Sequence, residues 1–404
     1  MKIVRLGTMR SYRELFRTPE FTPLFTTVSV QIAAMTVTGL ALGTLVYAAT
    51  GSPLLSALSM FGSSFAQVVG AAMLLSAADR LPPRAAMTGL ALVSCLSTAA
   101  LAIPGMPVWA LFAIVLAQGV IGSVGGGVRY GLLSEVLPED GYLLGRSALN
   151  MSVGIMQICG FATGGVLVAF LSPRGTLLAG AALHLLAAAF AGFGLTSRPP
   201  RAAGRPSIAQ TWRTNVLLWS SVPRRYVYLA NWLPNGLIVG CEALFIPYAP
   251  HNAGLLLSVA AVGMLIGDVM TGRFVSRKWR VRLGPYLLLL LGAPYLVFAL
   301  HPPLPLATAA VVLASIGFSA SLLIQERLMA LTPDDMHGQA LGLDNSGMIA
   351  MQGIGAVLAG TVAQQTSPAT AIALMAALSL AVTLALTPGL RPPASKPTPE
   401  QAPA

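Results

Sequence analysis

LPEDGYLLGRSALNMSVGIMQICG (residues 137–160) and TPDDMHGQALGLDNSGMIAMQG (residues 332–353) are two versions of one pattern. Gly145, Gly154 and Gly160 fall on Gly338, Gly347 and Gly353 at a constant offset of 193, and Pro138 falls on Pro333 after a two-residue slip. A second correspondence lies upstream of each stretch. Arg80 and Arg84 of SAADRLPPR (76–84) find a counterpart in Arg277 of GRFVSRKWRVR (272–282), at an offset of 197. A pattern that returns after about half of the chain means two similar halves.

Hydrophobic residues make up 55% of the 404 residues and charged ones only 9%, against roughly a quarter charged in a soluble domain. Apolar stretches long enough to cross a hydrocarbon layer of about 30 Å fall at 21–49, 54–78, 85–103, 108–134, 147–171, 175–195, 226–248, 254–275, 283–300, 304–328, 340–364 and 368–387. TGSP (50–53), PGMP (104–107), SPRG (172–175), HPPLP (301–305) and TSP (366–368) supply tight turns between them. The expected fold is an all-α membrane protein, twelve transmembrane helices in two pseudo-symmetric six-helix bundles. A cytoplasmic segment 1–20, with a short amphipathic helix from Ser11 to Arg17, leads into the first bundle, 21–195. An Arg-, Pro- and Ser-rich cytoplasmic linker 196–225 follows, then the second bundle, 226–387, and a disordered, Pro-rich cytoplasmic tail, 388–404.

The charges fix the orientation. With the first residue cytoplasmic, every Lys and Arg except Arg174 falls on an inner segment, as the positive-inside rule requires. Shifting the count by one span breaks the alternation. The net charge of +11 therefore reads as topology, not as a nucleic-acid surface. The N-terminus is basic and then polar, without the apolar core of a cleaved signal peptide. Cys95, Cys159 and Cys241 lie singly in apolar segments and read as small buried residues. His184, His251, His301 and His337 are scattered, which gives neither a metal site nor the polar constellation of a membrane enzyme. His184, alone in a Leu- and Ala-rich helix, reads as a packing residue. No G-x-x-x-x-G-K-[ST] loop is present, so ATP is not the direct energy source.

Six plus six spans, a central basic loop and a charged loop between the second and third span of each half resemble the major facilitator superfamily, from about residue 12 to 388. The family's 2–3 loop motif, G-x-x-x-D-R-x-G-R-R, is similar to Asp79, Arg80 and Arg84 in the first half, where Leu75 and Pro82 replace its glycines. In the second half it is similar to Gly272, Arg277 and Arg280, where Ser276 replaces its Asp. The fifth-span exporter motif G-P-x-x-G-G resembles Gly160-Phe161-Ala162-Thr163-Gly164-Gly165, with Phe161 for the proline. The fourth-span motif R-x-x-Q-G is similar to 115–119, but its basic residue is Val115. TGSPLLSAL (50–58) looks like the macrolide and siderophore exporter branch. The resemblance implies alternating access, and a cytoplasmic gate latch of Asp79, Arg80 and Arg84 facing span eleven near Gly342; the other reading of this loop is a solvated charged segment that only sets topology. Glu135 would pair with Arg84. It also implies close helix packing at Gly160, Gly164 and Gly165. The missing Arg at Val115 removes the family's usual proton route.

Glu242, in NWLPNGLIVGCEALFIPY (231–248), has nothing polar beside it in sequence. It lies some fifteen residues into the seventh span, about 22 Å along the helix axis. An acid near a helix centre costs about 2.5 kcal/mol or more. Without a cation such a carboxyl tends to hold a proton, so Glu242 is the proton-coupling candidate, with hydration near the outer surface or contact with a cationic substrate as the other readings. Asp344 reads as a charge in the first turn of span eleven, near the inner surface. Gln31, Gln118, Gln157, Asn231, Asn235 and Gln352 are candidates to line a central substrate cavity, or else to bridge helices.

The expected function is proton-coupled efflux of a hydrophobic or amphipathic small molecule, an antibiotic or secondary metabolite. The chain would work as a monomer in a bacterial cytoplasmic membrane. Its partners would be the bilayer, the substrate and protons, with no cofactor, no metal and no nucleic acid. An uncoupled facilitator, an importer or a lipid transporter of the same fold is the alternative, and a membrane enzyme or receptor a remote one.

Overall fold

The computed structural model describes residues 12–74, 81–200, 208–333 and 336–390, and every regular element among them is a helix. A short helix, Tyr12–Arg17, drops Leu15 into the core of the first half. Span 1 is Phe21–Thr50, span 2 Pro53–Leu74, span 3 Pro83–Leu101 and span 4 Val108–Val136. Spans 5 and 6 are one helical run, Glu139–Gly194, broken at Ser172, whose φ is 71°. Pro173 behind it lacks a backbone N–H, so the reversal falls where the ladder is already interrupted. The second half holds span 7 Val222–Tyr248, span 8 Ala253–Phe274 and span 9 Arg277–Gly292, which continues as a 3-10 segment, Ala293–Leu300. Span 10 is Leu304–Ala330, span 11 His337–Gln365 and span 12 Pro368–Leu386. The described residues thus supply twelve spans, six to a half.

Turn chemistry closes the spans as the sequence dictates. Gly51, at φ 63°, donates its N–H to Tyr47 O at 2.8 Å and ends span 1 in a left-handed cap. Ser367 Oγ accepts the N–H of Thr370 at 3.1 Å and caps the start of span 12.

The segment read as a linker is not all loop. Ile208–Ser220 is a helix, and span 7 starts at Val222 after a single break at Ser221. Trp219 stacks on Tyr228 and Trp232 of span 7, and Gln339 of span 11 donates to Asn215 Oδ1 at 2.7 Å. The Arg- and Pro-rich composition around this helix hides its amphipathic register. At the other end, a 3-10 turn, Thr387–Leu390, takes in the first residues of the segment read as tail.

The halves repeat one plan. Span 1 packs on the run of spans 5 and 6, and span 7 on spans 11 and 12; span 2 packs on span 4, and span 8 on span 10. Between the halves, span 2 meets span 11, span 5 meets span 8, and the end of span 7 meets spans 1 and 2. Leu54 lies against Gly360, Gly165 against Gly254, and Ile246 against Gly43 and Met60. Ser52 donates to Gln364 at 3.3 Å. These contacts run from the face opposite the termini to about the middle, where Phe65 meets Gly353. Toward the termini face, Gly126, Gly154, Gly338 and Gly342 have open space beside them. Among the described residues, the close contacts between the halves thus lie on the far face and near the middle.

Candidate functional site

Pro247 sets the end of span 7. Its ring collides with the carbonyl four residues back, so the α-helix stops at Ala243 and a separate turn, Phe245–Tyr248, follows. Glu242 occupies the last turn before this break. It is 7% exposed, and its Oε1 is sealed from solvent without a hydrogen-bond partner. Its surroundings are the second half's core, where Cys241, Leu244, Phe245, Tyr295 and Phe298 cluster. The ionisable groups in electrostatic reach are Cys241 beside it and Tyr295 of span 9; no cation among the described residues offsets it. Tyr295 Oη and Ser315 Oγ of span 10 are buried beside each other in the same region. An unsatisfied buried polar group costs about 1–3 kcal/mol, more for a charge, so a carboxyl here is held at a cost.

A second acid lies deeper than the sequence indicates. Asp344 is 1% exposed, not a solvated charge in a first helical turn. Asn231 Nδ2 donates to both its oxygens at 3.1 and 3.0 Å, Trp232 Nε1 to Oδ1 at 3.1 Å and Gln325 Nε2 to Oδ2 at 3.2 Å. Three spans, 7, 10 and 11, converge on one carboxyl. The bland reading fails because these partners sit 113, 112 and 19 residues away in sequence. Gln325 is not marked by any sequence signal, and Trp232, an aromatic that by sequence fits either a cavity or an interfacial belt, turns out to donate to this carboxyl.

Asn235 and Gln352 also meet across spans 7 and 11, where Gln352 Nε2 donates to Asn235 Oδ1 at 3.1 Å. Gln31 and Gln118 meet elsewhere, beside a cavity of about 40 Å³ between spans 1, 3 and 4. That is room for about one water, and Gln118 donates to Ser97 Oγ at 2.5 Å. Gln157 is half-buried on span 5. The glycines of the exporter motif lie at helix crossings. Gly160 faces Thr36 and the carbonyl of Ala33, Gly164 faces Val37 and Leu40, and Gly165 faces Gly254 across the halves.

Asp79 and Arg80 lie outside the described residues, as does the side chain of Arg277. Arg84 is half-buried at the start of span 3. Glu135 has an ion pair with Arg198, beyond the end of span 6, at 3.9 Å. Arg198 also pairs with Glu20 at 3.2 Å, drawing the starts and ends of spans 1, 4 and 6 together. In the second half Arg280 donates to the carbonyls of Val275 and Gly272 at 2.9 and 3.0 Å and pairs with Glu326 of span 10 at 3.5 Å.

The family model of the Major Facilitator Superfamily matches residues 24–251 and 248–404. The fold is similar to that of the nucleoside transporter NupG, with a TM-score of 0.74 at 16% identity over 92% of this chain and 99% of that one. A POT family transporter in complex with 5-aminolevulinic acid gives a TM-score of 0.70 at 13% identity, over 92% and 96%. A bacterial homologue of the human lysosomal transporter Spinster, in an inward-facing and occupied conformation, gives 0.66 at 14% identity, over 94% and 96%. No curated protein matches the chain in sequence.

Proposed function

The chain belongs to the major facilitator superfamily, and from that premise we propose that it exports a hydrophobic or amphipathic small molecule in exchange for protons, with Glu242 as the group that carries the coupling proton. It is a multi-pass membrane transporter; direction, substrate class and coupling are the proposal. The observation that carries it is the Glu242 carboxyl, sealed inside span 7 with one oxygen unpartnered and no cation against it. A permanently charged group there is costly, whereas one that takes a proton from one side and releases it to the other is not. Pro234 below and the break at Leu244 above leave span 7 two places to bend as the halves rock. The termini face would be cytoplasmic, by the basic residues along it, and the host membrane that of a bacterium. The chain acts as a monomer, with the domain divisions at the linker and no nucleic-acid partner.

Everted membrane vesicles with an imposed proton gradient and a pH-sensitive dye test the reading. A panel of antibiotics and lipophilic cations is added to wild type and to Glu242→Gln. Compound-triggered proton movement in wild type, lost in the variant, supports coupled export. Compound movement without proton flux favours an uncoupled facilitator. Val115, buried against span 2 where the family's fourth-span motif has a basic residue, gives that second reading its support.

A further inference from the structure

Span 7 carries more than one polar group on the side that bears Glu242. Asn231, Asn235 and Glu242 stand at i, i+4 and i+11, which at about 100° per residue confines them to an arc of about 40°. The stripe spans about 16 Å along the axis. Each position on it has its own polar company: Asn231 bonds Asp344, Asn235 bonds Gln352, and Glu242 ends the row with a free oxygen. The row begins on the termini side with one buried acid and ends near the far face with another.

The shell of Asp344 consists of donors alone. Asn231, Trp232 and Gln325 all present N–H groups to its oxygens, contacts that last only while spans 7, 10 and 11 stay together. A shift of span 11 against span 7 would draw those donors away and leave the carboxyl oxygens free to exchange a proton. The other ionisable groups facing it are on span 7. Tyr228 lies within electrostatic reach, and beyond it Arg224, whose guanidinium is taken up by the carbonyls of Leu217, Leu218 and Leu331. On span 10, Glu326 is turned to Arg280 and Arg327 to the carbonyl of Leu390. On span 11, His337 bonds the carbonyls of Met329 and Thr332. The linker helix brings Asn215 and Trp219 to this corner, neither of them titratable.

We propose that Asp344 is a second proton-carrying carboxyl, and that Asn231, Asn235 and Gln352 form with Glu242 a file along which a proton passes between Glu242 and the termini face. The far end of the file rests on the reading of Glu242 as the coupling acid; the role of Asp344 does not. In the outward-to-inward step, as spans 7 and 11 part, the Glu242 carboxylic acid gives its proton to water that enters beside Asn235 and Gln352 and becomes a carboxylate. The hydrated proton then protonates the Asp344 carboxylate, and Asp344 returns it to water on the termini face. Only O–H bonds are made and broken: Asp344 ends as the carboxylate it began as, and Glu242 is left as a carboxylate that takes its next proton from the far face.

Infrared titration of the purified full chain in lipid nanodiscs tests this without a substrate, because the C=O stretch of a protonated carboxyl is separate from that of the carboxylate. Wild type is compared with Asp344→Asn, Glu242→Gln and the exchange pair Asp344→Asn with Asn231→Asp, each first shown to elute as one species. The expected result is one titrating component lost in Asp344→Asn and a different one lost in Glu242→Gln. The exchange pair, which keeps one carboxyl and one amide in the corner, should restore a component at shifted frequency. If Asp344→Asn does not elute as one species, the exchange pair alone decides, by that shift. A wild-type spectrum unchanged in Asp344→Asn, or in the exchange pair, overturns the proposal while leaving Glu242 as the coupling acid. Loss in Asp344→Asn with none in Glu242→Gln breaks the file and overturns the coupling reading with it.

Discussion

The two halves join their first and fifth helices at the same place by different means. In the first half, span 1 meets span 5 through hydroxyls and small side chains. Ser29 and Ser152 hydrogen-bond each other, and Gly160 and Gly164 accommodate Thr36, Val37 and Leu40. In the second half, span 7 meets span 11 backbone to backbone, with Gly236 and Gly240 against Gly355, and a buried carboxyl takes the place of the serine pair. Span 7 is also the more enclosed helix, with 83% of its apolar window buried against 50% for span 1. The two halves share one scaffold; at this crossing the first is neutral, and the second has two acids, Glu242 and Asp344, around its central helix.

If that difference is one of energetics as well as chemistry, it can be broken first at the polar corner. Asp344→Leu strands the donors of Asn231, Trp232 and Gln325 in an apolar site, and we expect a loss of about 3–5 kcal/mol. Ser152→Ala, the counterpart in the first half, should cost about 1 kcal/mol. Thermal unfolding of each variant in the same detergent gives the comparison. Equal shifts would mean that the carboxyl holds spans 7, 10 and 11 no better than a pair of hydroxyls holds spans 1 and 5.

The glycine contacts come next. A Cβ on Gly355 would overlap the carbonyl of Gly236, and backbone cannot turn aside as a side chain can. Gly355→Ala should therefore lose about 1–3 kcal/mol to overpacking. At Gly164 the added Cβ would come no closer than 3.4 Å to Leu40 and Val37. There the gain in helix propensity, about 1 kcal/mol, offsets the contact, and we expect Gly164→Ala to unfold at or slightly above the wild-type temperature. A comparable loss at both sites would show that the two crossings are equally tight.

The fold was legible because its causes are local. Apolar runs, the Ser172-Pro173 break and the turn glycine Gly51 each act within a few residues. Span ends moved by only a few positions, 21–49 becoming Phe21–Thr50 and 368–387 becoming Pro368–Leu386. Glu242 stood out for the same reason, an acid with no polar neighbour in its own helix. Asp344 did not, because what buries it comes from Asn231, Trp232 and Gln325 on other spans. Gln118 shows both of its readings at once: it lines a small cavity between spans 1, 3 and 4 and also donates to the hydroxyl of Ser97 on span 3. The linker helix escaped notice because its apolar positions serve a docking site on span 7 and not a span of its own.

The smallest effects should come from the ion pairs on the termini face, and they sharpen the contrast in the opposite sense. Here the first half is the better bound. Glu20 accepts from Thr196 N–H and Oγ1 at 3.3 and 2.8 Å as well as pairing with Arg198, and its side chain is only 14% exposed. Glu326, by contrast, is 48% exposed opposite an Arg280 already occupied by two carbonyls. Exposed pairs contribute about 0–1 kcal/mol and are screened by salt. Glu20→Gln should therefore cost about 1 kcal/mol, and Glu326→Gln less than about 0.5 kcal/mol, vanishing when the unfolding is repeated at about 0.5 M salt. If the order is reversed, the Arg280 corner, and not the Glu20 corner, is the stronger clasp. The second half would then hold the tighter contacts on the termini face as well as in its core.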